Sequence, residues 1–306
     1  MEEKRMEMKN MRKQKRYAAW VCKMLLIAVI VFFGGRILIT QIGDMTGSFV
    51  GVGMERDSSP GDPAEADAGT AEKPVRRSGA ELKSKLNELA GKYPEIAKIC
   101  ENQSQYSEKL LSILANNPEM ADFVENYNTA AHKTQGATLT EKEKKAFIPL
   151  FIQWDKRWGY VYYGDNVLGL SGCAPTCLAM VITGLTGTKD ATPDKVASYA
   201  TRNGYYVKGN GTSWSIMTEG SRAFGVTGRE ISLAQSVVSR ELEQGHPIIC
   251  SVAPGDFTTS GHFIVLVRYR DGKIKVNDPN CRARSRWWEY SELEGQIRNL
   301  WAFEKG

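Results

Sequence analysis

The chain has 306 residues, 42% of them hydrophobic, enough for a sizeable core and for one or two domains. Its formal charge is +5, but the basic residues gather in residues 1–16 and again around Arg282 to Arg286, so the global balance says little about partners. With no cysteine and histidine run of zinc-finger spacing, no phosphate-binding glycine loop and no basic stripe interleaved with aromatics, the sequence argues against nucleic-acid binding.

Residues 1–43 read as a basic cytoplasmic tail and a transmembrane anchor. Lys4, Arg5, Lys9, Arg12, Lys13, Lys15 and Arg16 precede an apolar stretch from Tyr17 to Ile42, interrupted by Lys23 and Arg36. A spanning helix needs about 20 mostly apolar residues. Ala18 to Leu38 meets that length if Lys23 and Arg36 snorkel to the two headgroup layers. The basic flank keeps the N-terminus cytoplasmic and leaves the C-terminal domain extracytoplasmic, in a single-pass cell-membrane protein. A cleavable signal peptide is the competing reading, but no convincing small-x-small cleavage site follows the apolar stretch.

From residue 44 to 78 the composition turns to Gly, Asp, Ser, Ala, Pro and Glu, which cannot bury enough surface to offset ordering, so a flexible linker is expected. In residues 79–128 the apolar positions return at helical spacing, from Leu82, Leu86 and Leu89 to Met120, Phe123 and Val124. Pro94 and Pro118 divide this helical region into three or four short helices. A spacer, a partner-binding hairpin and a cap on the domain behind it all fit the pattern. Residues 129–146 read as a polar connection, with His132 a solvated surface residue.

Residues 147–306 have the size of one compact domain. The pattern predicts a short strand or extended lead-in over 147–153, then helices over 173–185, 192–203 and 213–224, the second capped by Thr192 with Pro193 in its first position. A strand over 226–231, a helix over 233–244 and strands over 247–252, 262–270 and 273–277 follow. Asp271 and Gly272 are a two-residue hairpin signal between the last two. Helices first and an antiparallel sheet after them make the fold class α+β.

The chemistry centres on Cys173, in GLSGCAPTCLAM. Pro175 is tolerated only in a helix's first turn, so Cys173 stands at a helix start, where orphan N–H groups and the macrodipole favour an anion. A nucleophile and a small packed hydrophobe both fit a cysteine there. A nucleophile needs a base and a group that orients the base. His246, between Gly245 and Pro247, reads as a turn residue. His262 opens an apolar strand, and folding the hairpin back brings Asp278 near it, so that a carboxylate could take the Nδ1 proton and leave Nε2 for the thiol. Asp278 before Pro279 also fits a simple turn cap. Gln153, upstream among apolar and aromatic residues, could join the Cys173 backbone N–H in an oxyanion hole.

The runs IPLFIQWDKRWG, YGDNVLGLSGCAPTCLAMVITGLTG, SGHFIVLV and VNDPN resemble the bacteriocin-processing, double-glycine-leader cysteine peptidases, in the form of a stand-alone, membrane-anchored relative. The resemblance covers residues 147–306. It implies a papain-like cysteine peptidase fold with Cys173 as nucleophile, His262 as base, Asp278 as orienting residue and Gln153 as oxyanion-hole donor. Two positions depart from the family: Ala174 stands where glycine is usual, and Cys177 where a serine or other small residue is usual. Cys177, one turn on, is poorly aligned for a disulfide to Cys173. Five cysteines follow the anchor (Cys100, Cys173, Cys177, Cys250, Cys281), an odd number that leaves at least one thiol unpaired within the chain.

The expectation is thus a membrane-anchored, extracytoplasmic cysteine peptidase that hydrolyses peptide bonds without metal or organic cofactor. Its partners are a polypeptide substrate and, through one N-terminal helix, the membrane. Double-glycine leaders are cut on the cytoplasmic side by peptidases fused to transporters, so that specificity is not carried over, and wall peptides or surface proteins suit an outward-facing domain better. The alternative is a catalytically inactive peptidase-like module that binds cell-wall or surface polypeptides.

Overall fold

Isoleucine and valine recur in residues 248–252, 262–270 and 273–277, and such β-branched residues suit a pleated, buried surface. The computed structural model describes residues 71–133 and 136–306, all of them in the unit Ala64–Gly306. The anchor expected in residues 1–43, and residues 44–70 of the expected linker, lie outside the described residues. Among the described residues no helix is long and apolar enough to cross a membrane.

In chain order the strands are β1 (Tyr162–Tyr163), β2 (Asn166–Val167), β3 (Tyr206–Val207), β4 (Gly211–Thr212), β5 (Val226–Glu230), β6 (Ile248–Val252), β7 (His262–Arg270), β8 (Lys273–Asn277), β9 (Trp287–Glu289) and β10 (Ile297–Lys305). The first four make two small hairpins, and the rest form one sheet in the order β5-β10-β6-β7-β8-β9. Every neighbouring pair in it is antiparallel. On one face lies the helix Cys173–Thr186, buried from Ala174 to Thr183, whose Leu178 and Val181 share a core with Val265, Val267, Trp301 and Phe303. On the other, Ile264, Leu266, Ile274 and Val276 pack with Val238 and Leu242 of the helix Gln235–Glu243. The molecule is a mixed helix and antiparallel-sheet fold.

The β7–β8 hairpin turns through Asp271 and Gly272 at φ 51° and 81°, the paired left-handed conformations of a two-residue turn. Several elements differ from expectation. Of the short strand or extended lead-in expected over 147–153, the strand does not form. The helix expected over 213–224 is two short turns, Ser215–Thr218 and Gly220–Phe224, where Ser221 Oγ takes the carbonyl of Met217 at 2.9 Å and competes with the backbone ladder. Strand β10 was not expected, because Leu300, Trp301, Ala302 and Phe303 are all buried and erase the period-two alternation.

The helices Gly79–Ala90, Pro94–Glu101, Glu108–Asn116 and Ala121–Glu125 bury their apolar faces in one cluster. That cluster includes Ile152, Trp154, Tyr160 and Val167 of the region behind, so these helices pack on it as a cap. Phe123 stacks on Tyr160 with 4.5 Å between ring centroids, and the Tyr160 hydroxyl donates to Phe123 O at 3.0 Å. His132, expected as a solvated surface residue, is half-buried: Nδ1 lies 3.0 Å from Tyr160 O and its ring sits beside Tyr162. Within the polar connection the helix Glu141–Lys145 starts from a capping box of Thr140 and Glu143.

Residues 71–78, inside the stretch expected to be a flexible linker, run as an extended strap bonded to the helical cap. The Asn116 side chain accepts from Val75 N at 2.9 Å and donates to Val75 O at 3.0 Å. Ser112 Oγ donates to Arg77 O at 3.3 Å. An amide side chain that satisfies both backbone groups of one residue does what a neighbouring strand would do.

Candidate active site

Cys173 is the first residue of its helix, after Gly172, and is partly exposed while the ten residues from Ala174 to Thr183 are buried. Glycine is required before it. A Cβ at Gly172 would come within 2.6 Å of the Leu168 carbonyl oxygen. In the first turn of this 14-residue helix the N–H groups of Cys173 and Ala174 have no intrahelical partner and Pro175 has no N–H, so the helix start favours negative charge.

His262 begins β7 and is 7% exposed, and Asp278, just after β8, is fully buried. The two are joined by a hydrogen bond of 2.7 Å from His262 Nε2 to Asp278 Oδ1. A bulge makes this possible. The pairing runs Arg268↔Lys275 and then Leu266↔Val276, so Val267 is the extra residue of β7. Asn277 therefore pairs with Val265, and Asp278 falls on the face of Ile264 and His262. An unbulged hairpin would set Asp278 opposite Val265, on the other face.

The ring nitrogens are used in the reverse of the expected order: Nε2, not Nδ1, meets the carboxylate, which leaves Nδ1 for the Cys173 side chain. Burial pulls the His262 pKa down, but the charge and hydrogen bond of Asp278, joined by Cys173, override it and raise the pKa well above its ordinary value. Asn280 N also donates to Asp278 Oδ1 at 2.8 Å, and Ser285 Oγ accepts from Asp278 N at 2.9 Å.

Gln153 is 4% exposed and borders the same cleft. Its backbone N–H donates to Pro279 O at 2.7 Å, and its Nε2 donates to Gly169 O at 2.9 Å. One amide proton thus ties Gln153 to the loop that leads into Cys173, and the second is free to donate. Cys177 lies in the core, where burial, aided by the charges of Cys173 and Asp278, pushes its thiol well above the ordinary range. Cys100, Cys173, Cys177, Cys250 and Cys281 are all free thiols. His246 stands apart, with Nδ1 2.9 Å from Glu241 Oε2.

The helical cap holds the loop that carries Asp278, a role the sequence did not signal. Glu119 accepts from the backbone N–H of Arg282 and of Ala283, both at 2.9 Å, and from the Cys281 thiol at 3.3 Å. Trp154 Nε1 donates to Asn280 O at 2.7 Å, and Asn117 Nδ2 donates to the same oxygen. A cleft of about 600 Å³ opens above Cys173, His262 and Gln153, walled by the strap, the helix Glu108–Asn116 and the loop before His262. A second cavity of about 480 Å³, between the cap and residues 281–283, contains none of these three. Among the described residues no cluster of side chains has the makings of a metal site.

The sequence model of the Peptidase_C39 like family matches residues 145–303. No curated protein matches the chain. Among solved structures it is similar to the peptidase domain of Streptococcus ComA, a bifunctional ABC transporter of a quorum sensing pathway, at 16% identity and a TM-score of 0.36 over 44% of this chain and 93% of that one. It is also similar to a double glycine motif protease from an AMS/PCAT transporter, solved with its leader peptide, at 17% identity and a TM-score of 0.32 over 44% of this chain and 86% of that one. A third, a Bacillus anthracis protein described as C39-like peptidase, shares 14% identity with a TM-score of 0.37 over 56% of this chain and 98% of that one.

Proposed function

Because the chain belongs to the Peptidase_C39 like family, we propose that it is a cysteine peptidase that hydrolyses peptide bonds through Cys173, His262 and Asp278. The observation that carries the reading is the shared cleft: a helix-start cysteine beside a histidine whose far nitrogen is bonded to a buried carboxylate. In this mechanism His262 Nδ1 takes the thiol proton as Cys173 Sγ attacks the carbonyl carbon, and the oxyanion is held by the free Gln153 amide proton and the Cys173 backbone N–H. His262 Nδ1 gives its proton to the leaving amine as the C–N bond breaks. Water then attacks the thioester with Nδ1 as base, restoring the thiol. Asp278 orients the ring and stabilises its charged form.

The anchor read from residues 1–43 leads us to place this activity outside the membrane, on a polypeptide held near the cell surface. Substituting Cys173→Ala should abolish both hydrolysis and labelling by a thiol-directed probe, with the circular dichroism spectrum unchanged. Normal turnover by that variant would remove Cys173 from the reaction, and an unreactive Cys173 in the native chain would favour an inactive binding module.

A further inference from the structure

The walls of the cleft carry a charge imbalance that acyl transfer does not use. Arg76, Arg77, Lys109 and Arg284 line it, against one carboxylate, Glu108. Buried arginines are ordinarily paired with an acid. Arg284 is 2% exposed, yet its guanidinium donates to two backbone carbonyls, Glu72 O at 2.9 Å and Asn116 O at 3.2 Å, and its Nε has no partner. Arg76 donates to Thr259 O at 3.2 and 3.0 Å, and Arg77 to Asn116 Oδ1 at 2.9 Å. None of these acceptors is a carboxylate. Glu108 itself accepts from Gly79 N at 3.2 Å.

The strap explains how such charges are held together. Arg76 and Arg77 are set in place by the bonds of Asn116 and Ser112 to the strap backbone, not by ion pairs, so their charge remains available to a ligand. A volume of about 600 Å³ is roughly 8 Å across, no more than one Debye length at physiological salt, so the cations act on a bound chain together. Walls of low dielectric strengthen that field at the cysteine.

We propose that the cleft selects polypeptides bearing an aspartate or glutamate side chain close to the scissile bond, with the carboxylate against Arg77, Arg76 and Lys109 and with Arg284 adding its field from behind. The proposal rests on the peptidase reading of the same cleft. Asn116 is a positioning residue here, acting through the strap.

The test uses end-capped peptides that differ only in Glu or Gln at each position near the cleaved bond. Each exposed charge pair contributes up to about fivefold, and several together should favour the Glu peptide by about tenfold in kcat/KM at low salt, falling as salt is raised. Arg77→Glu should reverse the preference toward Lys peptides. A second arm needs no turnover: alkylation of Cys173 by iodoacetate and by iodoacetamide, followed by mass spectrometry of the Cys173 peptide. Arg77→Glu and Asn116→Ala should each lower the ratio of the anionic to the neutral rate, by about threefold or more, in protein whose thermal melt remains cooperative. Equal rates on Glu and Gln peptides, or an alkylation ratio indifferent to both variants, overturns the proposal. Absent turnover with a ratio that still follows Arg77 counts against the peptidase reading and for the charge selectivity.

Discussion

Asp278→Asn separates charge from shape at the site. Oδ1 of Asp278 takes two donors, His262 Nε2 at 2.7 Å and Asn280 N at 2.8 Å, while the buried Oδ2 has no partner. An asparagine must keep its oxygen at the Oδ1 position, because the reverse orientation aims its NH₂ at two donors. That NH₂ then occupies the unpartnered site, where a buried donor without an acceptor costs about 1–3 kcal/mol. The ring stays in place and only the negative charge is lost. That charge is the largest effect raising His262, which despite its burial is pushed up from 6.5 to about 10. Because the folded value lies above the unfolded one, the stability it contributes is fully present below about pH 6.5 and is lost as pH rises through about 10. In the proposed mechanism the same proton sets the basic limb of activity. The variant should lose kcat by roughly 10²- to 10⁴-fold, and its basic limb should fall at least about one pH unit earlier. Peptide hydrolysis and thermal denaturation, both followed from about pH 5 to about pH 11, measure these quantities. Basic limbs that coincide, with melts that run parallel across that range, refute the assignment of Asp278 as the group that sustains the imidazolium.

Gln153→Ala should slow acylation by roughly ten- to a thousandfold, the range for one oxyanion donor; an unchanged single-turnover rate removes Gln153 from the site. Phe123→Ala deletes a 1%-exposed ring stacked on Tyr160 and should cost about 3–5 kcal/mol. Calorimetry should then find Tm lower by roughly 10 °C, with the cap loosened from the sheet domain. Arg157 bridges Glu143 at 2.7 Å and Asp155 at 2.8 Å. Burial works to raise both carboxyls, but their bonds to Arg157 hold both below the ordinary carboxylate range. Stability from this pair is present above about pH 4.5 and lost as pH falls through the lowered values. Arg157→Met should therefore flatten the acid side of a stability–pH curve, and a steep acid limb that persists in the variant would contradict it.

Local chemistry was legible in the order of residues. Pro175 and the glycines before Cys173 mark a loop feeding a helix, and a helix starts at Cys173. The Asp271–Gly272 turn and its flanking β-branched runs define β7 and β8 to the residue. Pro94 and Pro118 divide the cap where the pattern says they should. These signals act within a few residues, through sterics and turn geometry, so a linear reading captures them.

Other features depend on groups distant in the chain. The bulge at Val267 decides which face Asp278 occupies, and nothing in HFIVLVRYR marks which residue is extra. The choice of Nε2 over Nδ1 for the carboxylate is set where the start of β7 meets the end of β8, 16 residues apart in the chain. Strand β10 hides because it lies between β5 and β6 with both faces covered. The strap reads as a polar linker by composition, and it is ordered because Asn116, 41 residues away, satisfies the backbone of Val75. Residue type, spacing and the family resemblance singled out candidate groups; only packing between remote segments decided which of their atoms face one another.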